Sequence, residues 1–503
     1  MADLVARRNL DTQSTATASI APSLTAFSLA GMAVITGLIL GYDSVLDRNL
    51  ALRGGLLVLG VTCAVPVIQY CFRPVGYDAL QPALILALVA FLAYGLGALY
   101  SKAHNPGLHD PTEGLLMAVI GMMNFMIGYN LPIAARARSL RGWLPEWRPE
   151  RAVWAGIICV VIGLIGNYLY FLNGEYFAYT STTVLDVALS PIGFVREFLL
   201  IGLGILAVVA LGFGDNPRGR AAVVILGAGA VALLLPTGIR YELLYVVASI
   251  GVAWHYYRRR IRLSGIVLGI LFVVALLYPI GEMYRTEYRI EGSSSIASVP
   301  AVLQGVSQRV LSMTPQSYID LVLGGTYGRF DLATPTSAVK DIVPSQLDYQ
   351  KGSTFAPIAL IFVPRALWAD KPVLDFQNTV GRLSGVLAPE DFRTSYKYGF
   401  VGETYLNFGN AGLIVGMFLY GVFFRLLHKW LIGYGRPNET GVLFYSLIVV
   451  TLVTVESPLG PALGGFVRDS LAALAVLFIT GSLRRAGVMD SSRSSVDTTL
   501  THA

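Results

Sequence analysis

Residues 152–172 read AVWAGIICVVIGLIGNYLYFL, with Arg136, Arg138, Arg141, Arg148 and Arg151 ahead of them. No charge interrupts the run. At ~1.5 Å per residue it reaches about 30 Å, the thickness of a bilayer's hydrocarbon core. Only a helix suits such a run, because every backbone N–H and C=O must be satisfied without water. Similar runs lie near 24–41, 50–72, 79–100, 112–134, 195–214, 221–237, 238–257, 263–282, 401–424, 441–457 and 462–483. The chain therefore reads as an all-α integral membrane protein of about twelve spans. The seventh and eighth are joined by a tight Pro236-Thr237-Gly238 turn. Composition agrees: 503 residues, 54% hydrophobic and 14% charged, with mean hydropathy +0.62. The net charge of +6 sits mostly in short loops, where it sets orientation. It is no nucleic-acid footprint.

Loop charge alternates along the chain. The rich set is Arg7 and Arg8; Arg73; Arg136 to Arg151; Arg218 and Arg220; Arg258, Arg259, Arg260 and Arg262; Arg425, Lys429 and Arg436; Arg484 and Arg485. The positive-inside rule puts these loops and both termini in the cytoplasm. Residues 1–23 then form a cytoplasmic tail without a cleavable signal layout, and 484–503 a Ser/Thr-rich, disordered cytoplasmic tail. Bundles at 24–282 and 401–483 flank a polar segment at 283–400, which faces outward and is too long for a connector. Topology reporters should show Gly352, Gly292 and the 173–194 loop outside, and Gly142 and the 258–262 loop inside. Cytoplasmic reporter activity at Gly352 would reverse this orientation.

Ionisable groups inside spans are costly and mark function by default. Here they are Arg196, Glu197, Arg240, Glu242, Glu456, Arg468 and Asp469, all at or near outer helix ends. Snorkelling or mutual ion pairing is the structural alternative; their gathering on one face favours a site. Arg240 follows the Pro236 turn at a helix start, where a cation and free N–H groups meet and suit an anionic oxygen. Glu242 is its potential neutraliser. The outward segment adds Arg285, Arg289, Arg309, Arg329, Lys340, Arg365, Lys371, Arg382, Arg393 and Lys397, interleaved with acids that include Asp331 and Asp375. Two amphipathic stretches, 296–323 and 374–390, carry apolar stripes fit to roof the bundle or lie in the interface. The stripes are Val299, Val302, Leu303, Val306, Val310 and Leu311, then Phe376, Val380, Leu383 and Leu387. Aromatic residues cluster at the same face: Tyr168, Tyr170, Phe171, Tyr176, Phe177, Tyr179, Trp368, Tyr396 and Tyr398. Interface belts explain such clusters more simply than sugar stacking.

Several chemistries lack their residues. There is no P-loop, Gly-x-Ser-x-Gly elbow or HExxH. No outward Asp-x-Asp offers a metal-bridged diphosphate site. Cys63, Cys71 and Cys159 all lie in or beside spans, and the large segment holds neither cysteine nor histidine. His104 and His109, in a short outward loop, are too small a set to define a metal site alone.

Three stretches carry a resemblance. They are Thr237-Gly238-Ile239-Arg240; Val363-Pro364-Arg365-Ala366-Leu367-Trp368-Ala369-Asp370-Lys371-Pro372; and Gly399-Phe400-Val401-Gly402-Glu403-Thr404-Tyr405-Leu406-Asn407-Phe408-Gly409-Asn410-Ala411-Gly412. In this order and topology, from about Arg240 to Arg468, the chain resembles the Wzy-type O-antigen and exopolysaccharide repeat-unit polymerases. Its N-terminal half is similar only in being helical.

The resemblance implies a GT-C-like bundle in the bacterial inner membrane. It implies undecaprenyl-diphosphate-linked oligosaccharides as substrates, a growing chain transferred to a new lipid-linked unit on the periplasmic face, and no metal or cofactor. A chain-length regulator is a candidate partner. Developing diphosphate charge would be held by arginines, whose fork is bidentate and always charged. The candidates are Arg240 and Arg365, then Arg289, Arg329, Arg468 and Lys371. A carboxylate, Asp331 or Glu403, would activate the acceptor hydroxyl, and single displacement would invert the anomeric centre. An O-antigen ligase shares topology and donor, but the resemblance to ligases would call for a histidine in the large segment. A flippase or other transporter would favour internal repeats and midplane charge. A membrane acyltransferase would want a catalytic histidine, and His255 lies at the cytoplasmic helix end.

Overall fold

The computed structural model describes residues 50–72, 78–104, 109–131, 144–172, 191–213, 217–237, 240–272, 283–284, 286–287, 299–360, 368, 375–392, 394–433 and 437–484. Among these the chain is helical apart from one antiparallel pair of two-residue strands, β1 (Glu146–Trp147) and β2 (Leu483–Arg484). Eight helices are long and apolar enough to cross a membrane. They are α1 (Leu50–Phe72), α2 (Pro82–His104), α3 (Pro111–Tyr129), α4 (Pro149–Leu172), α5 (Pro191–Gly212), α6 (Pro217–Leu234), α13 (Gly399–Leu431) and α15 (Leu459–Ile479). Shorter or more polar helices lie at three further expected spans: α7 (Arg240–Tyr257), α8 (Leu263–Phe272) and α14 (Glu439–Val453). The expected first span, 24–41, lies outside the described residues. Helices of the polar segment are α9 (Val299–Ser312), α10 (Pro315–Phe330), α11 (Ala333–Ile342) and α12 (Phe376–Leu383).

The two ends of the bundle alternate as the loop charges predict. At the arginine-rich end β1 pairs with β2, and Trp147 Nε1 donates to Thr440 Oγ1 at the start of α14 (2.8 Å). His255 and His428, at the ends of α7 and α13, converge there on Asp78. The polar segment packs at the opposite end. Ser337 Oγ on α11 donates to Asp110 O beside α3, and Val302 and Val306 of α9 bury against Tyr170 of α4. Small residues let the helix backbones close in. A Cβ on Gly128 of α3 would lie 2.1 Å from Phe418 O, and one on Gly421 of α13 2.1 Å from Phe125 O. Such contacts hold membrane helices together, where lipid supplies no hydrophobic drive.

The expected single span at 401–424 is a folded-back pair of helical arms. Gly409 sits at φ 60°, ψ −141°, breaking α13. On either side of this break Glu403 meets Tyr420, and Phe400 stacks on Phe424 (6.4 Å, 13° between rings). A Cβ on Gly412 would fall 1.9 Å from Thr404 O. From Asn410 to Leu431 the second arm reaches roughly 33 Å at ~1.5 Å per residue, long enough to cross alone. The first arm, Gly399 to Phe408, reaches only about 15 Å at ~1.5 Å per residue, too short to cross by itself. It begins inside the bundle, level with Phe424. Hydropathy misses this because both arms are apolar; the signal is a glycine at positive φ, which few other residues tolerate.

The neighbouring span is also shorter than expected. α14 ends at Val453 rather than 457, and α15 begins at Leu459. The intervening turn is held where Gly399 N donates to Glu456 O (3.1 Å). α2 likewise opens into a π turn at Phe91–Leu96, and Ala93 O there accepts from Leu332 N (3.1 Å). A π turn frees carbonyls from the regular ladder, so the polar segment docks on backbone that a straight helix would keep to itself.

Candidate functional site

The third motif builds the centre of the half where the polar segment packs. Glu403 is fully buried, and its carboxylate accepts from Leu459 N (2.5 Å), Gly460 N (3.1 Å) and Tyr420 Oη (3.3 Å). These are the orphan amides that open α15, where a carboxylate is favoured by both hydrogen bonds and helix dipole. Four residues on, Asn407 Oδ1 accepts from Gly352 N (2.8 Å), while its Nδ2 donates to Thr354 Oγ1 (2.8 Å). Gln350 N and Lys351 N donate to Leu406 O and Asn407 O. One helical arm thus ties the polar segment to α15.

Asp331, the other expected base, caps α11. Its Oδ1 accepts from Ala333 N (2.9 Å) and Thr334 N (3.1 Å), and its Oδ2 from the Thr334 hydroxyl. Burial raises its carboxyl above the ordinary aspartate value, and these hydrogen bonds oppose the rise.

The buried charges at this end are paired with one another. Arg196 Nη2 donates to Glu242 Oε2 (2.8 Å) and its Nε to Asn167 Oδ1 (3.3 Å), while the guanidinium lies 4.4 Å over the Tyr170 ring. Glu242 therefore serves Arg196 on α5. Arg468 holds Glu197 of α5 and Asp469, the latter at 3.0 Å. Lys397 pairs with Glu456. The expected phosphate ligand Arg468 thus already has two carboxylates. Arg240 opens α7 as expected, and Arg329 lies in the last turn of α10. Arg289, Arg365 and Lys371 lie outside the described residues. The structure brings together Arg196, Glu242 and Asn167, and separately Arg468, Glu197 and Asp469. Asp331 and Glu403 belong to different caps.

A cleft that the charge pattern does not single out lies beside Lys397 and Glu456. Thr354, Asp375, Phe376, Gln377, Tyr398 and Pro458 line a cavity of about 30 Å³. Asp375 caps α12 through Asn378 N (3.0 Å) and remains exposed. Gln377 Nε2 is buried there without a hydrogen-bond partner. The apolar stripes are only partly buried: Val302, Val306 and Val380 are, whereas Leu303, Leu311 and Leu383 are exposed. Of the aromatic set, Tyr168 and Trp368 are exposed, whereas Tyr170 and Tyr398 are core residues. His109 is engaged through both ring nitrogens, with Asp341 Oδ2 (2.6 Å) and Ser384 O (3.0 Å). Among the described residues no group of side chains has metal-ligand geometry.

The arginine-rich end holds a second polar centre that no spacing rule reveals. Asp78 lies 2.8 Å from His255 Nε2 and 3.4 Å from His428 Nε2, and Tyr256 Oη donates to it (2.5 Å). Burial opposes ionisation of Asp78, but the two imidazoles beside it outweigh burial and hold the carboxyl well below the usual aspartate range. Tyr445 Oη donates to Leu80 O next to it.

Residues 237–432 match the model of a domain of unknown function (DUF8712). That stretch opens at the Thr237 turn, closes just after α13 and contains all three motif stretches. No curated protein and no solved structure matches the chain.

Proposed function

We propose that the protein is a polymerase of undecaprenyl-diphosphate-linked oligosaccharide repeat units, an inverting, metal-independent glycosyltransferase of the bacterial inner membrane. The observation that carries this reading is the end of the bundle where the polar segment packs. The motif hairpin of α13, the opening of α7 at Arg240 and the cleft of Asp375 and Gln377 all belong to that end, which we place on the periplasmic side. A GT-C-like arrangement is part of the same proposal.

In this mechanism Arg240 and Arg365 grip the donor diphosphate, with Arg289, Arg329 and Lys371 beside them. They stabilise charge that grows as the glycosidic bond breaks. Arg468, already shared between Glu197 and Asp469, positions α5 against α15. Asp331 or Asp375 takes the acceptor hydroxyl's proton; Glu403, enclosed by its three donors, is better suited to holding the site together. If Asp331 is the base, its raised carboxyl puts the acidic limb of the rate profile above the ordinary aspartate range.

Purified protein given lipid-linked repeat units alone should make a ladder of longer glycans, without nucleotide and in the presence of chelator. Arg240→Ala and Arg365→Ala should abolish the ladder at unchanged protein level, and Arg240→Lys should restore little because an ammonium lacks the planar fork. Transfer only to a lipid A core would replace this reading with a ligase. Movement of lipid-linked sugar across vesicles with no new glycosidic bond would leave a transporter.

A further inference from the structure

Between α7 and α8 the chain reads Arg258-Arg259-Arg260-Ile261-Arg262. Orientation needs only cations near the membrane and asks nothing of their geometry. Here the geometry is fixed. Arg258 N and Arg259 N donate to Trp254 O (2.9 and 3.2 Å), and Gly265 N and Ile266 N donate to Arg262 O (2.9 and 3.2 Å). Ile261 N donates to His255 Nδ1 (2.9 Å), whose other nitrogen faces Asp78. The turn is thus anchored at both ends and in its middle.

The anchored turn borders an open surface hollow of about 310 Å³, lined by Trp254, Arg259, Arg260, Arg262 and Leu268. This is at the small end of the ~300–1,000 Å³ of ligand sites. All three arginines are exposed, and no carboxylate of the described residues forms an ion pair with them. The cavity's other wall is apolar and also open: Trp254 is 41% and Leu268 65% exposed. Cations on one side and aliphatic and aromatic surface on the other match an amphiphile with an anionic head.

We propose that this cavity binds an anionic glycerophospholipid, with its phosphate among Arg259, Arg260 and Arg262 and its acyl chains along Trp254 and Leu268. Guanidinium forks suit phosphate oxygens, and basic pockets at membrane faces select such headgroups. A free phosphate ion would use the arginines but leave the apolar wall bare. The inference does not depend on the polymerase reading.

The full-length protein in detergent micelles would be titrated with brominated phosphatidylglycerol or brominated phosphatidylcholine. The signal is the quenching of Trp254, taken as the component missing from Trp254→Phe. The expected preference for phosphatidylglycerol is on the order of tenfold. Arg259→Gln/Arg260→Gln/Arg262→Gln should bring it close to one, and each single variant should lose part of it, so the test does not hang on one variant folding. Arg218→Gln/Arg220→Gln, in the first turn of α6, should keep the full preference. The proposal is overturned if the triple variant and the single variants keep it. It is overturned too if the Arg218/Arg220 pair loses it equally, since diffuse charge would then suffice. Displacement of the lipid by millimolar inorganic phosphate would make this a free-anion site instead.

Discussion

Replacing Glu403 by Ala is expected to remove most folded protein, not merely its activity. The substitution strips the acceptor from two buried amides, Leu459 N and Gly460 N, and from the Tyr420 hydroxyl. A buried donor left unmatched costs roughly 1–3 kcal/mol. The amides alone therefore cost on the order of 2–6 kcal/mol, a large share of a typical ~5–15 kcal/mol stability. Glu403→Gln keeps one acceptor oxygen and should fall between. Fluorescence-detected size exclusion and thermal unfolding in detergent measure both. Wild-type yield and melting temperature for Glu403→Ala would show that the α15 cap is dispensable. The pair also separates two roles: a structural Glu403 leaves the glycan product per folded Glu403→Gln molecule near normal, whereas a catalytic base leaves the fold normal and the product lost.

The second large effect is expected at Arg196. Arg196→Leu leaves the Glu242 carboxylate buried opposite an apolar side chain. Breaking one partner of a buried pair costs about 3–5 kcal/mol, while replacing both partners by apolar residues is often neutral. Arg196→Leu should therefore lower the unfolding temperature sharply, and Arg196→Leu/Glu242→Leu should recover most of the loss. Failure of the double variant to improve on the single one would mean that Arg196 acts through Asn167 or the Tyr170 ring instead. Because the pair joins α5 to α7, its loss should also disturb the helix that Arg240 opens.

Class and end-to-end alternation were legible because hydropathy and loop arginines are summed over many residues and survive local exceptions. Span lengths were legible only where a helix is regular. The departures, Gly409 in α13 and the π turn in α2, arise from single backbone positions that barely change local hydropathy. The site was legible in kind but not in pairing. Charge at outer helix ends is visible in the sequence, yet which acid meets which arginine depends on packing, so Glu242 goes to Arg196 across two helices. Asp78 and His255 are 177 positions apart, and His255 and His428 173, and only the fold brings them together. Asp375 looked like one more surface acid until α12 set it beside the unengaged Gln377 amide.

The π turn in α2 and the folded-back start of α13 together hold down the polar segment that packs on the bundle. Leu332 is fastened to Ala93 and Gly399 to Glu456, so the stretch between them is rooted inside the bundle at both its beginning and its end. Between those two roots it is bolted again where Gln350 and Lys351 meet the first arm of α13. Three backbone clasps thus make the described part of this stretch a strap across the bundle rather than a tail lying on it.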